Sequence, residues 1–257
     1  ATGQITIDAM AGGAINFQTV AGRSVTLQST QTGGIHFVDA NTELRTQGGG
    51  ITLEALGLNS ALTNVGRLST HGGDVTLRAT GNIQIAGAIN AGTGAVQMVS
   101  TVGTISNAGA SAPQVTGSTV SLTAGGGHIG AAGNAIHTHT TRLTVEGGGN
   151  IHAASDMTLT DLSVNALHVA PGTHSYQIDA SGLSFTLTDG STLSAAQIAQ
   201  AGLNLTLLSD RSIELGVLDL GSGTLTVTSS AGNLSGAATN LSTAASVVLT
   251  ARGSNGN

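Results

Sequence analysis

Histidine is the residue type in this chain that first invites a chemical reading. Of eight histidines, six crowd into one stretch, His128, His137, His139, His152, His168 and His174, while His36 and His71 stand apart. His137-Thr138-His139 places two imidazoles on one side of an extended chain, because side chains alternate along a strand. Two neutral imidazoles can share a zinc or nickel ion. A firm site takes three or four ligands and groups behind them that orient the rings, and no carboxylate stands at a matching position nearby. His137 and His139 are therefore weak metal candidates, no cofactor is expected, and the histidines are expected to be exposed and unengaged.

Acid–base catalysis needs convergent carboxylates, and the chain has thirteen acids and seven basic residues over 257 positions. Two acid pairs stand close in the sequence, Asp39/Glu43 and Asp156/Asp161. Only Arg45 lies near either pair in the sequence, so both read as solvated surface and no catalytic residue is expected. The glycine clusters, such as Gly48-Gly49-Gly50 and Gly72-Gly73, lack the Lys-Ser/Thr of a phosphate loop, and Gly92-Thr93-Gly94 lacks the third glycine and following helix of a dinucleotide site. Asn204-Leu-Thr206, Asn233-Leu-Ser235 and Asn240-Leu-Ser242 are acceptor sequons, which makes Asn204, Asn233 and Asn240 glycosylation candidates.

The elements that must position these groups come from an internal repeat. Val75-Thr76-Leu77 sets two apolar residues around a polar one, the period-2 signature of a short half-buried strand. The unit recurs as Ile5-Thr6-Ile7, Val25-Thr26-Leu27, Ile51-Thr52-Leu53, Val96-Gln97-Met98, Val120-Ser121-Leu122, Leu143-Thr144-Val145, Leu203-Asn204-Leu205, Leu225-Thr226-Val227 and Val247-Val248-Leu249. Intervals of 20 to 26 residues separate neighbouring units before residue 145. Such a period predicts a solenoid with one coil per repeat. Secondary apolar positions, Ile15/Phe17, Ile35/Phe37, Ile83/Ile85, Ile105, Ile129 and Ile151, are expected to form the other sides of each coil. The fold class expected is all-β, a parallel β-helix of about 11–12 coils stacked at one strand spacing each, read as a single segment over 1–257 of a longer chain, since it opens within a repeat unit.

Composition agrees with a narrow tube. Hydrophobic residues make up 39% of the chain but aromatics only 2%, so Ile, Leu, Val and Ala must fill the core. Glycine, 39 residues, falls between strands, where corners call for it. Nucleic acid is not expected as a partner: the net charge is −6, and the seven arginines, Arg23, Arg45, Arg67, Arg78, Arg142, Arg211 and Arg252, are scattered singly. No apolar run is long enough for a transmembrane helix. With no cysteine there is neither a disulfide nor a thiolate metal site.

The rhythm changes after residue 155. Met157, Leu162 and Leu167 recur every five residues and predict one tight coil over 156–169. Pro171-Gly172 breaks the pattern, and an irregular protrusion is expected over 170–202. Within it, Leu183, Phe185 and Leu187 alternate as a strand, Asp189-Gly190 is a hairpin turn signal, and Ser194–Ala201 has the propensity of a short helical turn closed by Gly202. The outward residues of the main units, Thr6, Thr26, Thr52, Thr76, Gln97, Ser121, Thr144, Thr226 and Val248, should form a hydroxyl-rich ladder. β-Branched residues suit an exposed pleat.

The recurrent Gly-Gly-x-Val-Thr-Leu-x-Ala-x-Gly-x-Ile pattern, as in Gly72-Gly-Asp-Val-Thr-Leu-Arg-Ala-Thr-Gly-Asn-Ile83 and Gly49-Gly-Ile-Thr-Leu-Glu-Ala55, resembles the shaft of filamentous haemagglutinin-like exoproteins. The resemblance covers nearly the whole chain and rests on the repeat. It implies a right-handed β-helix, export by two-partner secretion through an outer-membrane transporter, and a place at the bacterial surface or outside the cell. It further implies an adhesive role in attachment, aggregation or biofilm, with a host-cell or glycan receptor or self-association. The Asn-Pro motifs of that family's secretion domain are absent, since Pro113 and Pro171 both follow Ala, which places this chain in the shaft. Two alternatives stay open: a self-assembling fibre or sheath subunit of an extracellular filament and, more remotely, a polysaccharide-acting β-helix enzyme.

Overall fold

In strand Val75–Ala79 the side chains of Val75, Leu77 and Ala79 are buried, while Thr76 and Arg78 face outward. This is the alternation that an apolar–polar–apolar unit dictates when one face of a strand meets a core. The same pattern recurs in Ser24–Ser29, Ile51–Ala55 and Val120–Ala124. The computed structural model describes residues 4–9, 15–17, 19–108, 114–166, 174–180, 183–189, 192–195, 198–210, 212–236 and 244–252. Its described residues form strands and turns and no helix.

The units stack as an eleven-stranded parallel sheet from Gln4–Ala9 to Ser246–Ala251. A second sheet of twelve strands and a third of five close the tube, giving a parallel β-solenoid. The third sheet holds the secondary apolar positions, in strands Ile15–Phe17, Ile35–Phe37, Leu62–Val65, Ile83–Ile85 and Ile105–Asn107. Parallel bridges from Ile105 to Ile129 and from Ile129 to Ile151 extend it. Core residues stack like on like: Val75 lies between Ile51 and Val96, and Leu77 between Leu53 and Met98. Val120, Leu122, Leu143, Val145, Leu225 and Val227 are all at most 3% exposed.

The next inward position holds only small residues, Ser29, Ala55, Ala79, Ser100 and Ala124, in register with one another. Here the chain turns out of the sheet and leaves little room. Where the residue is serine, its hydroxyl holds the turn: Ser100 Oγ donates to Gly81 O at 2.8 Å and accepts from Gly103 N at 3.0 Å.

Three local expectations are corrected. The tight coil with five-residue sides expected over 156–169 is not what its described part, 156–166, forms: Asp161–Ala166 is an ordinary strand of the long sheet, with Leu162 and Val164 buried and paired to Leu143 and Val145. Leu167 lies outside the described residues. The unit near residue 203 is Leu205-Thr206-Leu207, two positions later than expected, paired with Leu162-Ser163-Val164 and Leu225-Thr226-Val227. Alternation repeats every two residues, so a shift of two leaves every face unchanged. No helical turn stands among the described residues of Ser194–Ala201, of which 196–197 are not described. Strands Thr192–Ala195 and Ile198–Ala199 stand there, because pairing with Ser212–Leu215 and Leu218–Asp219 outweighs helix propensity.

The irregularity of 170–202 takes the form of an antiparallel excursion within the twelve-stranded sheet. His174–Ala180 pairs in parallel with Ile151–Ser155, Leu183–Asp189 runs back beside it, and the chain reverses again after Asp189 into Thr192–Ala195. The two hairpins keep every strand beside a neighbour, so the sheet continues unbroken to Ser212–Leu215.

Candidate functional site

The outer surface of the solenoid carries its polar chemistry in columns, since parallel register sets one side chain from each coil beside the next. The hydroxyl column runs from Thr26 through Thr52, Thr76, Gln97, Ser121 and Thr144, and the backbone of Thr6 stands in register with Thr26. It continues through Ser163, Thr206, Thr226 and Val248. Ser163 and Thr206 are two rungs that sequence reading missed, one in an unrecognised strand and one in a misregistered unit.

The histidine stretch is assembled on the second sheet. In strand Ile136–His139, Ile136 and Thr138 are buried while His137 is exposed and His139 half-exposed, so the two imidazoles share the outer face. Strand Gln114–Thr116 sets Gln114 beside His137 and Thr116 beside His139. On the other side Ser155 pairs with Thr138, which brings Asp156 alongside His139. His139 Nδ1 lies 2.7 Å from Asp156 Oδ1, and Gln114 Nε2 donates to Asp156 Oδ2 at 2.8 Å. The sequence reading allowed no carboxylate here. It is supplied from the following coil, where linear spacing did not point.

The other described histidines are mostly engaged, which corrects the expectation that they are free. His36 Nδ1 lies 2.6 Å from Thr63 Oγ1. His128 Nδ1 accepts from Asn150 N at 2.8 Å, and His152 is buried. His71, with φ of 56°, lies with Nδ1 2.9 Å from Thr46 O. A carbonyl only accepts, so Nδ1 carries the proton and Nε2 faces Arg45 Nη2 at 3.5 Å. With Gln47 and Gly48 these side chains line an open depression. His168 and the side chain of His174 lie outside what the structure describes.

The two acid pairs separate. Asp39 Oδ1 accepts from Asn41 N at 2.7 Å and Thr42 N at 2.9 Å, a turn in which the carboxylate caps its own backbone. Asp156 follows a strand of the second sheet, whereas Asp161 opens a strand of the long one. Asp161 belongs to a polar ladder: Arg142, Asp161 and Asn204 are in register, and Thr224 follows them. Arg142 Nε is 3.2 Å from Asp161 Oδ2, Asn204 Nδ2 donates to Asp161 Oδ1 at 2.9 Å, and Asn204 Oδ1 accepts from Thr224 N and Oγ1 at 3.1 and 3.0 Å.

These contacts hold the Asp161 carboxyl below its ordinary pKa. The Asn204 amide contributes most, partial burial opposes it, and the Thr160 hydroxyl and Arg142 guanidinium add to the lowering. A carboxylate more acidic in the folded than in the unfolded chain stabilises the fold above its unfolded pKa, and that contribution disappears as pH falls through the folded value. Asn204→Ala is expected to cost about 1 kcal/mol at neutral pH and to flatten the acid limb of stability. Denaturation midpoints of the two chains, compared from neutral pH down into the acid range, check this.

Among the described residues no three His, Cys, Asp or Glu side chains converge as ligands for a metal ion. The same Asn204 is the first sequon asparagine, and its amide is engaged at both ends. Asn233 is exposed in the turn before Leu234–Gly236, its backbone N donating to Ser212 Oγ at 3.0 Å. Asn240 lies outside the described residues. The chain matches no family model, no curated protein and no solved structure. Functional inference therefore rests on the repeat and on the geometry above. No helix among the described residues is long and apolar enough to cross a membrane.

Proposed function

We propose that this chain is a shaft: a rigid structural and adhesive segment of a large secreted bacterial surface protein, serving attachment, aggregation or biofilm. The observation that supports it most is the long sheet of eleven strands in parallel register over a continuous aliphatic core. Ten strand spacings extend about 48 Å. Such a stack satisfies its backbone through its neighbours and resists bending, which suits a spacer between a cell and a ligand. The repeat pattern shared with filamentous haemagglutinin-like shafts points the same way. On this reading the chain has no catalytic role, in keeping with a turn-capping Asp39 and with Asp156 and Asp161 on separate sheets. Export would run through an outer-membrane transporter, and the receptor would be a cell surface, a glycan or another copy.

A second reading, the self-assembling fibre, is favoured by one specific feature. Val247 and Leu249 of Ser246–Ala251 continue the core columns of Leu225 and Val227 yet are 40% and 47% exposed. Apolar core positions open at an end suit the stacking of a further coil or another copy. Solution scattering together with sedimentation across a concentration range is the test. The shaft reading expects a rod of fixed length that binds cells or glycans, and the fibre reading expects length to grow with concentration. A compact sphere, or turnover of a polysaccharide lost in Asp156→Asn, defeats both.

A further inference from the structure

We propose that His137 and His139 form a surface binding site for a borderline divalent cation such as Zn²⁺, with Asp156 as the residue that positions it. Three observations carry this. First, the two imidazoles project from the same face of one strand, with only the buried Thr138 between them, so their Cα atoms are about 7 Å apart and both rings can reach one ion.

Second, the Asp156 carboxylate can only accept when ionised, so the 2.7 Å contact assigns the proton of His139 to Nδ1. That leaves Nε2 with its lone pair directed away from the carboxylate. A carboxylate behind a ligating imidazole fixes its tautomer and raises its basicity, the arrangement commonly found around protein-bound zinc. Third, Asp156 is itself held, because Gln114 Nε2 donates to its second oxygen at 2.8 Å. With both oxygens engaged, Asp156 acts as an orienting group and not as a ligand. The site therefore offers two nitrogen ligands and keeps two tetrahedral positions for water or for a donor from outside. His36, His71 and His128 lack this arrangement: His36 faces a hydroxyl, His71 a backbone carbonyl and an arginine, and His128 accepts at Nδ1 from a backbone N–H.

Calorimetric titration of the untagged chain with zinc chloride at neutral pH tests the proposal, with circular dichroism of each variant to show that it is folded. One zinc ion per chain is expected. His137→Ala and His139→Ala should each abolish binding, and His71→Gln should leave it unchanged. Asp156→Ala keeps both ligands but releases the ring of His139, and is expected to weaken binding about tenfold. In the parent, nuclear magnetic resonance should show zinc shifting the imidazole signals of His137 and His139 together. The proposal is overturned if the parent binds no zinc, or if either folded histidine variant binds as the parent does. If Asp156→Ala matches the parent, the positioning role is overturned.

Discussion

Leu77→Asp is expected to unfold the middle of the solenoid. Leu77 is 0% exposed and stacked between Leu53 and Met98, so a carboxylate there meets only aliphatic neighbours in its column. An ionised group buried without a partner is among the few lesions that cost a domain more than about 4 kcal/mol. In a solenoid each coil rests on its neighbours, so the damage passes to the coils on either side. Chemical denaturation should show the loss as a large drop in midpoint or as a chain already unfolded in buffer. The neighbouring Thr76→Ala, on the outer face of the same strand, should change stability by less than about 0.5 kcal/mol. Equal midpoints for Leu77→Asp and the parent would mean that the inward face is wrongly assigned.

Gly73→Val is expected to be nearly as damaging, for a different reason. The corner glycines Gly49, Gly73 and Gly94 lie over one another in successive coils. A Cβ on Gly73 would overlap the backbone of Gly49 and come within 2.8 Å of Gly48 O, and one on Gly94 would overlap the backbone of Gly73. The corner cannot ease outward freely, because the buried Thr70 hydroxyl donates to Gly73 O, as that of Thr46 does to Gly49 O. Room for a side chain must come from separating coils that are bound at one strand spacing, breaking ladder hydrogen bonds on either side. A loss of about 3 kcal/mol or more is expected. Gly133→Ala makes the useful comparison: no atom lies within 4 Å of its added Cβ, so only its positive φ of 74° is strained, at a cost of about 1 kcal/mol. Hydrogen exchange should show Gly73→Val losing protection in the two adjoining coils, whereas Gly133→Ala should lose it only in its own turn.

These two substitutions also mark where sequence reading succeeds. The inward face of Val75-Thr76-Leu77 was legible because alternation is a local property, as were the secondary apolar pairs and the reversal after Asp189. The role of Gly73 was legible only in part. Glycine at a corner suggests a backbone that needs positive φ, and Gly72 meets that expectation with φ of 112°. Gly73 is needed for closeness to another coil, which no neighbouring residue in the sequence announces.

The sequence by itself determined that this chain is a β-solenoid, which residues fill its core and which form its polar outer column, because period-2 alternation and a repeat of regular length are written along the chain. Only the tertiary structure decided which polar groups meet. His139 finds Asp156 across 17 residues, and Asp161 finds Asn204 across 43, because one coil is short and the other contains the antiparallel excursion. Alternation repeats every two residues and is blind to shifts of two, so it names the face of Asn204 but not its partner. The hydrogen-bonded register between coils, set by the length of chain each corner and insertion consumes, makes that choice.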